Sequence, residues 1–247
     1  MRNAGSILVM AGAREAHGLV SRLKSRGRSV VASLPEPERV FEPLPVPTRV
    51  GAFEDNASFE AWVDTNNVVC VLDASHAFDA EVSRRAALVS TRLSLRYLRV
   101  LRPPWRASGQ DYWTDYRTVR RASEDIPAGE RVFSNTGRAS LPEFETFAGQ
   151  VLFLRQTQAQ TAPPPYDFVR YVTGTPPFSQ HSEEALFQTL RISRLICRNV
   201  GGSASISKLL AARRLGLRVA MVARPDPPTG VQVVETVTEA LAWEADA

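Results

Sequence analysis

The chain has 247 residues, 44% hydrophobic and 23% charged, with 30 Lys and Arg against 26 Asp and Glu for a formal net charge of +4. That composition suits one large or two small globular domains and excludes a disordered chain. No apolar run approaches the ~18 residues of a membrane span or the core of a signal peptide, and 2 cysteines with 3 histidines and no CxxC exclude a disulfide framework or zinc site, so a metal-free cytoplasmic protein is expected.

Short β-branched apolar runs alternate with helical patterns along the chain, as parallel strands buried on both faces require. Residues 7–11 predict the first strand. Met10-Ala11-Gly12-Ala13-Arg14-Glu15 then leads into a helix whose face is Ala16, Leu19, Val20 and Leu23, stopped by Gly27. Residues 29–33, 48–51, 68–72 and 97–101 predict four more strands. The stretch 102–129 is long and polar, with Pro103-Pro104 and Pro127, and marks a boundary between domains 1–117 and 118–247. Beyond it, 131–134, 151–154, 168–172, 195–197, 218–222 and 231–234 predict strands. Leu186, Phe187 and Leu190 after Glu183-Glu184 predict one helix, and Ile206, Leu209 and Leu210, closed by Gly216, another. The fold class expected is α/β, with two mainly parallel sheets of about five strands each. The halves echo each other: Leu98-Arg99-Val100-Leu101-Arg102-Pro103-Pro104 and Met221-Val222-Ala223-Arg224-Pro225 are both strands that end in Arg-Pro.

In open parallel sheets ligands bind beyond the carboxyl ends of the strands. Asp73-Ala74-Ser75-His76-Ala77-Phe78 follows the fourth strand and reads either as a reactive cluster or as a helix cap with a packed imidazole. Asn135-Thr136-Gly137-Arg138, Thr173-Gly174-Thr175-Pro176-Pro177-Phe178 and Arg198-Asn199-Val200-Gly201-Gly202-Ser203 are anion-competent loops or plain turns. So many loops suggest two ligands in a cleft between domains. All basic residues except Lys24 and Lys208 are arginine, and their excess favours an anionic partner, unless it reflects base composition alone. With no nucleic-acid motif and no block of basic residues, a phosphate- or carboxylate-rich small ligand fits. By itself the loop at Gly12 lacks the dinucleotide fingerprint of glycines and reads as a plain turn.

The series Asp73-Ala74-Ser75-His76-Ala77-Phe78, Arg102-Pro103-Pro104-Trp105, Thr136-Gly137-Arg138 with Leu141, Pro177-Phe178 with Glu183-Glu184, Asn199-Val200-Gly201-Gly202 with Lys208, and Arg224-Pro225 resembles the precorrin-6A reductase family in order and spacing over nearly the whole chain. The first loop departs from it, with Ala11-Gly12-Ala13 where the family shows Gly-Gly-Thr. The resemblance implies two Rossmann-like domains, with terminal-strand exchange permitted by the 102–129 crossover. It also implies NADPH-dependent reduction of precorrin-6A to precorrin-6B in cobalamin biosynthesis, by hydride transfer to carbon 19 and protonation at carbon 18, with no metal or flavin. Within it, Gly12, Ala13 and Arg14 are expected to meet the coenzyme pyrophosphate, and Ser33 and Arg39 the 2′-phosphate. Asp73, Ser75 and His76 would border the nicotinamide as catalytic residues, with His76 as the side-chain candidate for proton donor and water or a substrate carboxylate as the alternatives. Arg14, Arg102, Arg138, Lys208 and Arg224 would bind the carboxylates of the anionic tetrapyrrole. Trp105, Tyr112, Trp113 and Tyr116 either cover the macrocycle or pack the domain junction. A cobalt-precorrin-6A reductase, another NAD(P)-dependent reductase, or a nucleotide-binding regulator without turnover are the alternatives on the same fold.

Overall fold

A computed structural model describes residues 5–36, 43–159 and 161–246. In chain order the elements are β1 (Ser6–Ala11), α1 (Arg14–Ser25), β2 (Val30–Leu34), β3 (Thr48–Val50), α2 (Asn56–Thr65), β4 (Val68–Ala74), α3 (Ala80–Arg92) and β5 (Arg96–Val100). Then follow β6 (Tyr112–Tyr116), α4 (Val119–Glu124), β7 (Arg131–Ser134), a 3-10 segment (Arg138–Phe144), β8 (Val151–Gln156) and β9 (Val169–Thr173). The chain closes with α5 (Gln180–Thr189), β10 (Arg194–Arg198), α6 (Ser207–Arg214), β11 (Arg218–Val222), β12 (Gln232–Val234) and α7 (Val237–Ala245). Every strand expected from the sequence lies within two residues of an observed one.

Local chemistry accounts for the elements. Ile7, Val9 and Ala11 of β1 pack with the α1 face of Ala16, Leu19, Val20 and Leu23, whereas Leu8 and Met10 pack with Phe59 and Val63 of α2 and Val89 of α3. A central parallel strand is covered on both faces, which is why this run is apolar throughout. α1 ends where Gly27, at φ +72°, lets its own amide reach Lys24 O (2.9 Å) and the Arg28 amide reach Leu23 O (3.1 Å), a left-handed cap that costs glycine little. Asp55 and Thr236 start α2 and α7 with reciprocal capping boxes through Ser58 and Glu239.

Each sheet has six strands, all paired in parallel, in the orders β12-β5-β4-β1-β2-β3 and β6-β11-β10-β7-β8-β9. From β3 or β9 inward the two orders are the same, and each is the Rossmann order with a sixth strand at the end. That sixth strand is exchanged. β6, which follows β5 in the chain, pairs with β11, and β12, which follows β11, pairs with β5. The compact units are therefore 1–103 with 225–247, and 104–224. This corrects the division at 117/118, because strand pairing rather than chain order decides membership. The two Arg-Pro echoes are the points where the chain leaves each sheet.

β6 is the strand that apolar periodicity misses. As an edge strand, with Tyr112 65% exposed, it carries polar and aromatic residues instead of a continuous apolar run. Cys70 and Cys197 are buried free thiols, and burial pushes the Cys70 thiol up to about 11. Among the described residues no helix is long and apolar enough to cross a membrane, and no group of three or more His, Cys, Asp or Glu is placed to hold a metal ion.

Candidate functional site

In the first unit the order of strands reverses between β1 and β4, and the loops after these two strands meet there. Gly12 has φ +154°, and a Cβ on it would stand 2.9 Å from the His76 backbone nitrogen. Glycine is needed at this point for close approach of two backbones. Next to it, the Ala13 amide donates to Ala74 O at 3.0 Å, which removes it from any phosphate and corrects the expectation for Ala13. The open donors are those of the next two residues. Ala13 is the N-cap of α1 in extended conformation with no side-chain cap, so the first-turn amides of Arg14 and Glu15 face the carboxyl edge of the sheet with the positive end of the helix dipole. The Arg14 side chain is exposed there. Because Ala13 already has cap geometry, Ala13→Thr should add a hydroxyl acceptor and about 1 kcal/mol of stability in urea unfolding. No gain would show that the first turn lacks room for a capping hydroxyl.

Asp73 and Ser75 do not face this edge. Asp73 is 0% exposed. Its Oδ1 accepts from the Ser75 amide (2.9 Å) and Arg99 Nη1 (3.0 Å), and its Oδ2 accepts from the Tyr97 hydroxyl (2.6 Å). Arg99, 3% exposed, also donates from Nη1 to Asp73 O (2.9 Å) and Ser75 O (3.2 Å), and from Nη2 to His76 O (3.4 Å). Burial, and then the adjacent Asp73 carboxylate, raise the Tyr97 hydroxyl far above its ordinary range, so it stays a donor. Ser75 is buried with its hydroxyl 3.2 Å from that of Ser83. These residues brace the loop that carries His76, with their hydrogen bonds made inside the first unit. His76 is half-buried, and its Nδ1 accepts from the Phe78 amide at 3.3 Å.

Ser33, buried at the end of β2, lines a cavity of about 260 Å³ with Met10, Phe53, Phe59, Glu81 and Arg85. Arg39 lies outside the described residues. Arg102, just beyond β5, grips Glu15 of α1 with both carboxylate oxygens, at 2.9 and 3.0 Å. It is thus engaged within the first unit.

The second unit presents the remaining cations at the carboxyl edge of its own sheet. Arg138 is exposed at the start of the 3-10 segment, after Gly137 at φ +85°. The preceding turn is fixed by buried hydroxyls, with Thr136 Oγ1 2.9 Å from Ser134 Oγ and 2.6 Å from Ser140 Oγ. Arg224 is half-buried beyond β11. Lys208, by contrast, is 5% exposed, donates to Ser205 O and sits 5.1 Å over the Trp105 ring. Its ammonium supports the loop ahead of α6. Trp105 belongs to the core, clamped by Asn199 through its amide (2.8 Å) and carbonyl (3.0 Å) and donating from Nε1 to Gly202 O (2.7 Å). Packing is therefore its role. Glu183 is buried too, paired with Arg155 at 2.7 Å, and Arg155 stacks 4.0 Å from the Phe178 ring. That stack ties the loop after β9 to α5.

Periodicity misses Arg99, Tyr97 and Glu15, since none stands at the end of an apolar run. The one signal for Arg99 is an arginine inside a buried strand, where a charge demands a partner.

Residues 6–245 match the family described as precorrin-6x reductase CbiJ/CobK. A precorrin-6A reductase of Mycobacterium tuberculosis is 33% identical over 252 residues, covering 97% of both chains. Another, from Rhodobacter capsulatus, is 30% identical over 241 residues, covering 97% of this chain and 96% of the relative. A solved structure described as CobK precorrin-6A reductase superposes with a TM-score of 0.90 at 29% identity, covering 98% of this chain and 96% of that one. By a family match over nearly its whole length and by relatives of equal extent, the chain belongs to the precorrin-6x reductase family.

Proposed function

We propose that this protein reduces precorrin-6A to precorrin-6B in cobalamin biosynthesis, with NADPH as the reductant. The observation that carries this reading, beside family membership, is the carboxyl edge of the first sheet. There Gly12 lets the loop after β1 approach the backbone of His76, which a Cβ would meet at 2.9 Å, and the uncapped start of α1 adjoins it. That edge fits a dinucleotide: backbone amides and a helix dipole for the pyrophosphate, and a cavity with apolar walls beside Ser33 for the adenosine. When bound, NADPH supplies the hydride that carbon 19 of the macrocycle accepts, with a proton delivered to carbon 18.

The chain's own residues do the positioning. Arg14 and Glu15 amides hold the pyrophosphate, and Ser33 and Arg39 meet the 2′-phosphate. His76, on a loop made rigid by Arg99 and Asp73, is the side chain we assign to protonation: as the imidazolium it gives up one proton and is left as the neutral ring. Arg138 and Arg224 bind substrate carboxylates, for which the planar guanidinium fork is suited.

The test is anaerobic spectrophotometry with precorrin-6A, following loss of NADPH absorbance together with the corrinoid spectrum. Parallel reactions use NADH and cobalt-precorrin-6A. Turnover is expected with precorrin-6A and faster with NADPH than NADH. Binding of NADPH without oxidation by either tetrapyrrole overturns the assignment in favour of a regulator. Arg224→Ala should raise the KM for the tetrapyrrole about tenfold while the KM for NADPH changes less than about twofold. Equal changes in both would move Arg224 out of the substrate site.

A further inference from the structure

We infer that Arg102 is a positioning residue of the coenzyme site, acting through Glu15 to hold that carboxylate off the phosphate-binding end of α1. The inference rests on the coenzyme assignment proposed above. Glu15 is the second residue of α1 and lies in the turn whose amides face the edge of the sheet. A carboxylate in a first turn is drawn to the positive end of the helix dipole, and so is a phosphate. Glu15 is therefore a built-in competitor for the site, and within reach of a pyrophosphate its charge is repulsive.

Arg102 removes the competition. Its Nη1 is hydrogen-bonded to both oxygens of Glu15, at 2.9 and 3.0 Å, across 87 positions of sequence. The two side chains keep only 17% and 19% of their exposure, so the pair is less screened than a surface ion pair. The geometry fixes the carboxylate and cancels its charge together. Three residues earlier, on β5, Arg99 holds the loop after β4 by its carbonyls. β5 and the residues just beyond it thus secure the loop after β4 by hydrogen bonds and the first turn of α1 by an ion pair. Both bonds end on Glu15, whose first-turn position adjoins the proposed phosphate site, which is why the geometry points to the coenzyme.

NADPH Kd, measured by fluorescence titration beside thermal melts, tests this in wild type, Arg102→Met, Arg102→Lys, Glu15→Gln and the Glu15→Gln/Arg102→Met double variant. Arg102→Met should raise Kd about tenfold, less at high ionic strength, and Arg102→Lys should stay within about threefold of wild type because the charge remains. Glu15→Gln should lower Kd, and in the Arg102→Met background it should return Kd to within about threefold of wild type. A structural role lowers the melting temperature of Arg102→Met without relief of Kd by Glu15→Gln, and a role as substrate ligand raises the tetrapyrrole KM with Kd for NADPH unchanged; either result overturns the inference. If Arg102→Met does not fold, weaker binding by Glu15→Gln overturns it instead. Failure of the wild-type protein to bind NADPH overturns the coenzyme assignment itself, whereas wild-type binding with no coupling between the two positions overturns only the role of Arg102.

Discussion

Replacing Gly12 with valine should raise the Kd for NADPH by about 10- to 100-fold while leaving the protein folded. Two independent constraints act at this residue. Its φ of +154° is one that side-chain-bearing residues rarely adopt, and the added Cβ would meet the His76 backbone nitrogen at 2.9 Å. The nearest atom belongs to backbone and cannot rotate away, so either the loop after β4 or the start of α1 must move. Both border the proposed phosphate site. Titration of the variant with NADPH, beside a circular-dichroism spectrum, checks this. Unchanged affinity in a folded variant would place the coenzyme elsewhere.

Asp73→Asn should be the most destabilising single exchange at this end of the sheet, costing about 3 to 5 kcal/mol. The reason lies with Arg99, which at 3% exposure would keep its charge and lose the carboxylate that compensates it. For a chain of this size such a loss lowers the melting temperature by roughly 10 °C or more. Adding Arg99→Met should recover part of that stability, since an apolar side chain of similar length needs no partner in a dry site. Differential scanning calorimetry of the single and double variants decides. A loss below about 1 kcal/mol for Asp73→Asn would mean that water reaches Arg99 and that the brace is weaker than its geometry implies.

These predictions fall at residues that differ in how far the sequence reveals them. Gly12 was legible, standing between an apolar run and a helical stripe where a sheet presents its ligand loops. So was the region of Asp73, Ser75 and His76, but its division of labour was not. The three are consecutive or nearly so, and only the register that sets Asp73 beside Arg99 across β4 and β5 shows that Asp73 and Ser75 are internal while His76 stands nearer the surface. Lys208 illustrates the same limit. The resemblance makes it a substrate ligand, and its burial over Trp105 depends on a segment about a hundred positions earlier.

Family membership, the α/β class and eleven of the strands follow from the sequence by itself, since apolar runs, helical stripes and glycine stops are local patterns set by burial and backbone geometry. Tertiary structure decided the exchange of β6 and β12 and, with it, the true units. The physical reason is that parallel pairing joins strands distant in sequence through backbone hydrogen bonds that carry no residue code. It also decided which charges are internal. Asp73 with Arg99, Glu15 with Arg102, and Glu183 with Arg155 are each assembled from separate segments, and a charged residue's part in binding or in bracing is fixed only once the opposing charge has been brought within reach.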